Sequence, residues 1–267
     1  MNTHSLITKL LFLSVSASSL SPSQSPYKIS WDKDPYIIGT GTVVGVTALV
    51  LDRSLQPLTP QEVSQLSRES VNWIDRSATY RYSVSASRAS DVLYSIALAA
   101  PVSLFSQSAV RKDWQTVAMM YLETFGWVGA TTELTKTSVQ RLRPLVYNPD
   151  VPFDSKSSSE SRKSFFSGHS SVAFASAVFI STVYGDYNPD SKWKPYIWAG
   201  SLVTAGIVGF LRYEAGAHYP TDILTGAAVG SAIGYAIPWM HRTAKENATL
   251  TPGVPGADIG FSFQVKF

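Results

Sequence analysis

The chain has 267 residues, of which 45% are hydrophobic and only 15% charged, with 22 Lys and Arg against 19 Asp and Glu. A typical soluble domain carries about 25% charged residues, so this composition excludes a disordered chain, and a net charge of +3 demands no acidic partner. The absence of cysteine excludes disulfides, thiolate metal sites, a Cys nucleophile and a lipidated N-terminal Cys.

The first residues read as an export signal. Residues 1–9 carry Lys9 and no acid, 10–15 is a largely apolar run, and Ser16, Ala17, Ser18 and Ser19 supply a small-residue cleavage zone. Residues 1–20 are therefore expected to be a signal peptide. Residues 21–35, rich in Ser, Pro, Lys and Asp, are expected to be a linker.

Six apolar segments follow, at 36–51, 92–110, 114–135, 169–185, 195–211 and 223–240. Each is longer than an ordinary strand, and recurrent Ala, Ser and Gly would let helices approach closely. The segments predict an all-α bundle of about six apolar helices over 36–248. They suit either a compact buried bundle or membrane spans, which need about 20 residues. If all six cross, Arg111, Lys112, Lys192, Lys194, Arg242 and Lys245 share one side. The positive-inside tendency makes that side cytoplasmic and leaves 52–91 and 136–168 outside; a cleaved signal reverses this unless 36–51 does not cross, and five crossings or none also fit.

The tail, 249–267, differs in kind. Ile259, Phe261, Phe263, Val265 and Phe267 alternate with smaller or polar residues, the period-two pattern of a strand. Tyr27, Ile29 and Trp31 alternate likewise, so 27–31 is the candidate partner of that C-terminal strand.

Three clusters carry chemistry. In the first, Lys136 and Arg143 are seven residues apart, which on a helix points both cations the same way, and Pro144 ends the element. In the second, Ser167 is an N-cap candidate before Gly168 and His169. A helix N-terminus there would offer free amides and its dipole to an anion. In the third, Arg212 precedes His218, and Pro220 favours the first position of a helix. Asp222 lies one turn into that helix, where a carboxylate could reach one nitrogen of His218 and leave the other free. The bland readings are a basic helix flank, an ordinary capped helix and a plain dipole partner.

In this order the clusters resemble the type 2 phosphatidic acid phosphatase family, which shares its site with class A acid phosphatases and vanadium haloperoxidases. The family pattern is Lys, six residues, Arg-Pro; then Pro-Ser-Gly-His; then Ser-Arg, five residues, His, three residues, Asp. Here Lys136 to Arg143-Pro144 is complete, Phe166 replaces Pro before Ser167-Gly168-His169, and Leu211 replaces Ser before Arg212, His218 and Asp222.

The resemblance implies a helical-bundle phosphatase, a phosphoric monoester hydrolase that needs no metal or other cofactor. Lys136, Arg143, Ser167, Gly168 and Arg212 would bind the phosphoryl group. His218 would be the nucleophile, His169 the acid and base, and Asp222 the partner of His218. It further implies a lipid phosphate or pyrophosphate substrate, a phosphohistidine intermediate, and a membrane-associated site facing the periplasm or cell exterior. The alternatives are an acid phosphatase acting on soluble phosphomonoesters and a vanadate-dependent haloperoxidase. Nucleic-acid binding has no basic stripe or motif behind it, and no protein partner is evident. His4 and His241, in the signal region and tail, receive no role. The polar stretch 145–163, between two motifs, is expected to be a mobile lid over the head group.

Overall fold

The computed structural model describes residues 25–243. The signal peptide, most of the linker and the strand expected at 258–267 lie outside the described residues. Within them the chain forms eight α-helices. These are α1 (Asp34–Asp52), α2 (Pro60–Ser64), α3 (Val84–Ala99), α4 (Ser108–Lys112), α5 (Trp114–Val139), α6 (Gly168–Tyr187), α7 (Lys194–Glu214) and α8 (Pro220–His241).

Local chemistry sets the helix starts. Ser83 accepts from the Ala86 amide at 3.2 Å to open α3, and Ser167 does the same for Ser170 at 3.3 Å to open α6. Pro220 occupies the first position of α8. The apolar run 92–110 is not one helix. Pro101 has no N–H to continue the ladder, so α3 ends at Ala99 and a 3₁₀ segment, Ala100–Ser106, turns the chain into α4.

α6 is the centre of the bundle and packs against α3, α5, α7 and α8, while α1 lies against the outside of α5. Val117 and Met120 of α5, Phe179 and Val183 of α6 and Ile237 of α8 form the largest core cluster. Each such side chain contributes about 1.5–3 kcal/mol on burial.

The α6–α8 seam brings backbone to backbone. Gly226, Gly230 and Gly234 recur every fourth residue and face Ser167, Ser171 and Ala175. A Cβ on Gly226 or Gly234 would stand 2.5 Å from a carbonyl oxygen of α6, and one on Gly230 would overlap the Ser171 carbonyl. The small-residue stripe therefore sets how closely these helices approach.

Three segments, Asp34–Asp52, Val84–Ser106 and Pro220–His241, are long and apolar enough to cross a membrane. Large apolar side chains also face outward, among them Val43 and Val46 of α1, Val203 and Phe210 of α7 and Leu224 of α8. Three such apolar segments with outward-facing apolar side chains support membrane association.

Residues 27–31 do not form the expected strand. Tyr27 makes one isolated antiparallel bridge to Arg242, just beyond α8. Trp31 begins a turn into α1. Period-two alternation over five residues is too short to outweigh the anchoring of Tyr27, whose ring is buried and whose hydroxyl donates to Asp186 at 2.6 Å.

Candidate active site

The end of α5, the loop 140–167, the start of α6, the end of α7 and the start of α8 meet at one end of the bundle. All eight residues singled out by the three clusters stand there.

α5 ends because Gln140 adopts a left-handed conformation (φ 51°, ψ 37°), its amide returning to the Lys136 carbonyl at 3.0 Å. Arg143 is therefore off the helix, and the shared helical face expected for Lys136 and Arg143 does not exist. The loop brings them together instead. The buried Lys136 ammonium lies 3.4 Å from where a Cβ on Gly168 would stand, directly beside the α6 N-terminus. Arg143 donates from Nε to the Glu160 carbonyl at 2.8 Å and from Nη2 to Glu160 Oε2 at 3.0 Å. Burial holds the Arg143 pKa below its ordinary value although Glu160 opposes the shift.

Ser167 is fully buried, capping α6 and accepting from Ser170 Oγ at 2.9 Å. Its amide donates to the Asp222 carbonyl at 3.0 Å. His169 follows in the first turn. Its Nε2 is 2.9 Å from Asp91 Oδ1, and its ring lies 4.6 Å from the Tyr94 ring.

Arg212, on the last turn of α7, donates from Nη1 to Ser90 Oγ and Asp91 Oδ1, both at 3.2 Å. Its Nε is buried with no partner among the described residues. A buried, unmatched guanidinium donor is costly and suits an incoming anion. Gly216, at φ 65°, turns the chain from α7 toward His218, and a Cβ there would overlap the Arg81 carbonyl.

His218 is 1% exposed. Its Nδ1 lies 2.8 Å from the Ser164 carbonyl, an acceptor only, so Nδ1 carries the proton and Nε2 keeps its lone pair. Burial pushes its pKa down to about 3, the fields of Arg143 and Arg212 push the same way, and Asp222 opposes them. The imidazole is thus neutral near pH 7.

Asp222 does not hold His218 by a hydrogen bond, as its spacing suggested; Oδ2 is 3.7 Å from Nδ1. Oδ2 accepts instead from Ser164 Oγ at 2.6 Å and from the Tyr219 amide at 3.0 Å. Oδ1 accepts from Arg141 at 2.5 Å. First-turn geometry favours the amide just before the helix, and Ser164 then presents its carbonyl to His218.

Sequence reasoning missed Asp91, Arg141, Asp75, Ser164 and Glu160. Arg141 bridges the buried carboxylates of Asp75 (2.8 Å) and Asp222 and covers the Tyr219 ring at 4.0 Å. It lies inside the first motif, where an Arg two residues before another Arg is the only local signal. Asp91 has no local signal, because its partners His169 and Arg212 are on other helices.

The stretch 145–163 is folded against this site. It contains three 3₁₀ turns, and Lys163 pairs with Asp52 at 2.9 Å, Glu160 at 2.5 Å and Glu133 at 3.5 Å. Arg162 pairs with Glu62 near α2.

A sequence model of the PAP2 superfamily matches residues 117–246, which hold all three clusters. Two curated relatives align with it. "Lipid A 1-phosphatase" of Porphyromonas gingivalis is 29% identical over 136 residues, 51% of this chain and 26% of that protein. "Probable diacylglycerol pyrophosphate phosphatase 1" of Schizosaccharomyces pombe is 31% identical over 97 residues, 34% of this chain and 35% of that protein. The matches thus span about a quarter to a third of those relatives. The crystal structure of a transmembrane PAP2 type phosphatidylglycerolphosphate phosphatase from Bacillus subtilis aligns with a TM-score of 0.48 at 22% identity. That alignment covers 75% of this chain and 94% of the other.

Proposed function

We propose that the chain is a phosphatase that removes phosphate from a lipid phosphate or pyrophosphate through a phosphohistidine on His218. The observation that carries this reading is the neutral, backbone-anchored His218 beside three cations, Lys136, Arg143 and Arg212, one with an unmatched buried donor. Phosphoryl transfer requires mainly positioning and charge neutralisation, and this site supplies both.

His218 Nε2 attacks phosphorus as the bond to the leaving oxygen breaks, and His169 gives that oxygen a proton. His169 then takes a proton from water, whose oxygen attacks phosphorus and breaks the P–N bond. Lys136, Arg143 and Arg212 neutralise the phosphoryl oxygens, and Ser167 with the Gly168 amide hydrogen-bonds them. Asp222 positions His218 through Ser164 and Tyr219, and stabilises the imidazolium formed on attack.

Lipid specificity is supported by a groove of about 620 Å³ between α1 and α5, lined by Ile37, Leu49, Met119, Leu122 and Trp127. It ends at Glu133, which contacts Lys136 and Lys163 beside the phosphate pocket. An acyl or prenyl chain fits this groove while its phosphate enters the cationic end.

The basic residues Arg111, Lys112, Lys194 and Arg242 lie near the helix ends opposite the site. With the positive-inside tendency, this supports a site facing the periplasm or cell exterior; the start of α1, beside His241, then shares the cytoplasmic side, an orientation that a cleaved signal at residues 1–20 would reverse. The phosphatase domain is 36–248 with 249–267 as tail, and residues 27–35 of the expected linker pack onto that domain through the buried Tyr27 and Asp34.

The test is turnover of the purified protein on a panel of lipid phosphates, lipid pyrophosphates and short-chain phosphomonoesters, with and without vanadate. Release of phosphate from the long-chain lipids, inhibited by vanadate, is expected. Equal preference for short-chain esters would remove the lipid reading, and vanadate-dependent halide oxidation would replace the phosphatase reading.

A further inference from the structure

A second cluster of chemical groups lies at the other end of α8, about 28 Å along the helix from Asp222 at 1.5 Å per residue. Asp34 at the start of α1, Glu123 of α5 and His241 in the last turn of α8 are all buried. One ligand atom from each lies within 4.8 Å of the others. His241 was given no role as a tail residue; the bridge between Tyr27 and Arg242 and the bond from the Lys28 amide to the His241 carbonyl fold the chain over it.

The hydrogen bonding leaves this cluster unfinished. His241 Nδ1 donates to the Ile237 carbonyl at 2.9 Å, so in the neutral ring Nε2 carries a lone pair. That lone pair faces Asp34 Oδ1 at 3.3 Å and Glu123 Oε2 at 3.2 Å. His241 Nε2 and both carboxylate oxygens of Glu123 are buried with no hydrogen-bond partner among the described residues. Asp34 is oriented by the Ser30 amide on Oδ2 at 2.8 Å, which leaves Oδ1 directed at the same point. Three electron-rich atoms thus converge in an apolar bundle with no donor between them, an arrangement that burial penalises heavily.

We infer that Asp34, Glu123 and His241 form a binding site for one divalent transition-metal ion of the zinc type, separate from the phosphate pocket. Zinc holds nitrogen and oxygen ligands at about 2.0–2.2 Å, which puts tetrahedral ligand atoms about 3.3–3.5 Å apart. The two distances from His241 Nε2 match that spacing. One imidazole with two carboxylates suits zinc, cobalt or manganese and supplies two negative charges to balance the ion. The Nδ1 bond to Ile237 is the outer contact that a ligating histidine uses to fix its ring. Glu123 also lines the groove between α1 and α5. The site fastens α1, which packs chiefly on α5, to the middle of α5 and the end of α8. Its role is structural, and phosphoryl transfer does not pass through it.

The test uses the full chain, purified in detergent without a histidine tag. After removal of loosely held metal, elemental analysis is expected to find about one zinc per chain. Loading the chelator-stripped protein with Co²⁺ should give the visible absorption of a tetrahedral nitrogen–oxygen site. Zinc should raise Tm by about 5 °C or more, as expected for a ligand well above its Kd. Glu123→Gln and His241→Gln should lose the absorption and the zinc-dependent shift, whereas Asp190→Asn, at an exposed carboxylate between α6 and α7, should keep both. Wild-type protein that takes up none of the three metals stoichiometrically would overturn the assignment. Unchanged cobalt absorption in Glu123→Gln or His241→Gln would overturn it equally. Neither result bears on phosphatase turnover, so this inference and the proposed function fail separately.

Discussion

The Ser167 amide donates to the main-chain carbonyl of Asp222 at 3.0 Å, tying the first residues of α6 to the first turn of α8. The bond forms because three glycines of α8 let the two backbones meet along the seam. Two of the three chemical clusters are therefore registered by main chain.

This registration makes the glycine stripe sensitive. Gly230→Ala places a Cβ onto the Ser171 carbonyl and should cost about 3 kcal/mol or more. Gly39→Ala on α1, where a Cβ meets nothing within 4 Å, should leave stability unchanged or raise it by up to about 1 kcal/mol. Thermal melts of both variants in detergent check the contrast; equal melting would show that the α6–α8 contact is looser than described.

Arg141 should matter for stability as much as for chemistry. Arg141→Met leaves Asp75 and Asp222 buried without their cation, a loss of about 3 kcal/mol for a pair broken from one side. Arg141→Lys should recover only part of it, since one ammonium cannot span both carboxylates as a guanidinium does. Denaturant titration of the two variants measures the difference.

Arg212→Lys should reduce kcat/KM by about 100-fold or more, because a lysine cannot present a fork of donors to phosphate. Its fold should be retained, as judged by an unchanged Tm. Near-normal turnover would place Arg212 outside the phosphate pocket.

Asp91→Asn should separate the two histidines. Asp91 contacts His169 and not His218, so proton delivery to the leaving oxygen suffers. Turnover of an alkyl phosphate should fall at least about tenfold, while nitrophenyl phosphate, whose leaving group needs little protonation, should be much less affected. Steady-state assays on the two substrates suffice.

His218 also sets a pH signature in stability. Its pKa is about 3 in the folded chain against an ordinary 6.5. The unfolded chain binds this proton first as pH falls, so stability is full above 6.5 and declines between 6.5 and about 3. His218→Asn should flatten that part of the Tm-against-pH curve relative to wild type. Parallel curves would mean that His218 is protonated as readily in the folded chain as in the unfolded one.

The long helices and the convergence of the three clusters are legible in the sequence because their signals are local: apolar runs, capping residues, and motifs that each span eleven residues or fewer. What is not legible depends on partners far apart in the chain. The spacing of His218 and Asp222 points to a direct bond, but Asp222 is occupied by Ser164, Tyr219 and Arg141. Asp91 comes to His169 only through the packing of α3 on α6. His241 reads as a tail residue because nothing nearby in sequence announces that 25–31 folds over it. The alternation at 27–31 misleads, since the burial of Tyr27 decides that segment's path.

Rapid quenching with phosphorus-labelled substrate, followed by mapping of the modified ring, tests the central claim most directly. The account predicts an acid-labile, base-stable phosphoryl adduct on His218, absent in His218→Ala. In His169→Ala the adduct should still form from nitrophenyl phosphate and decay slowly. Label on His169, or an adduct that survives in His218→Ala, would contradict the account.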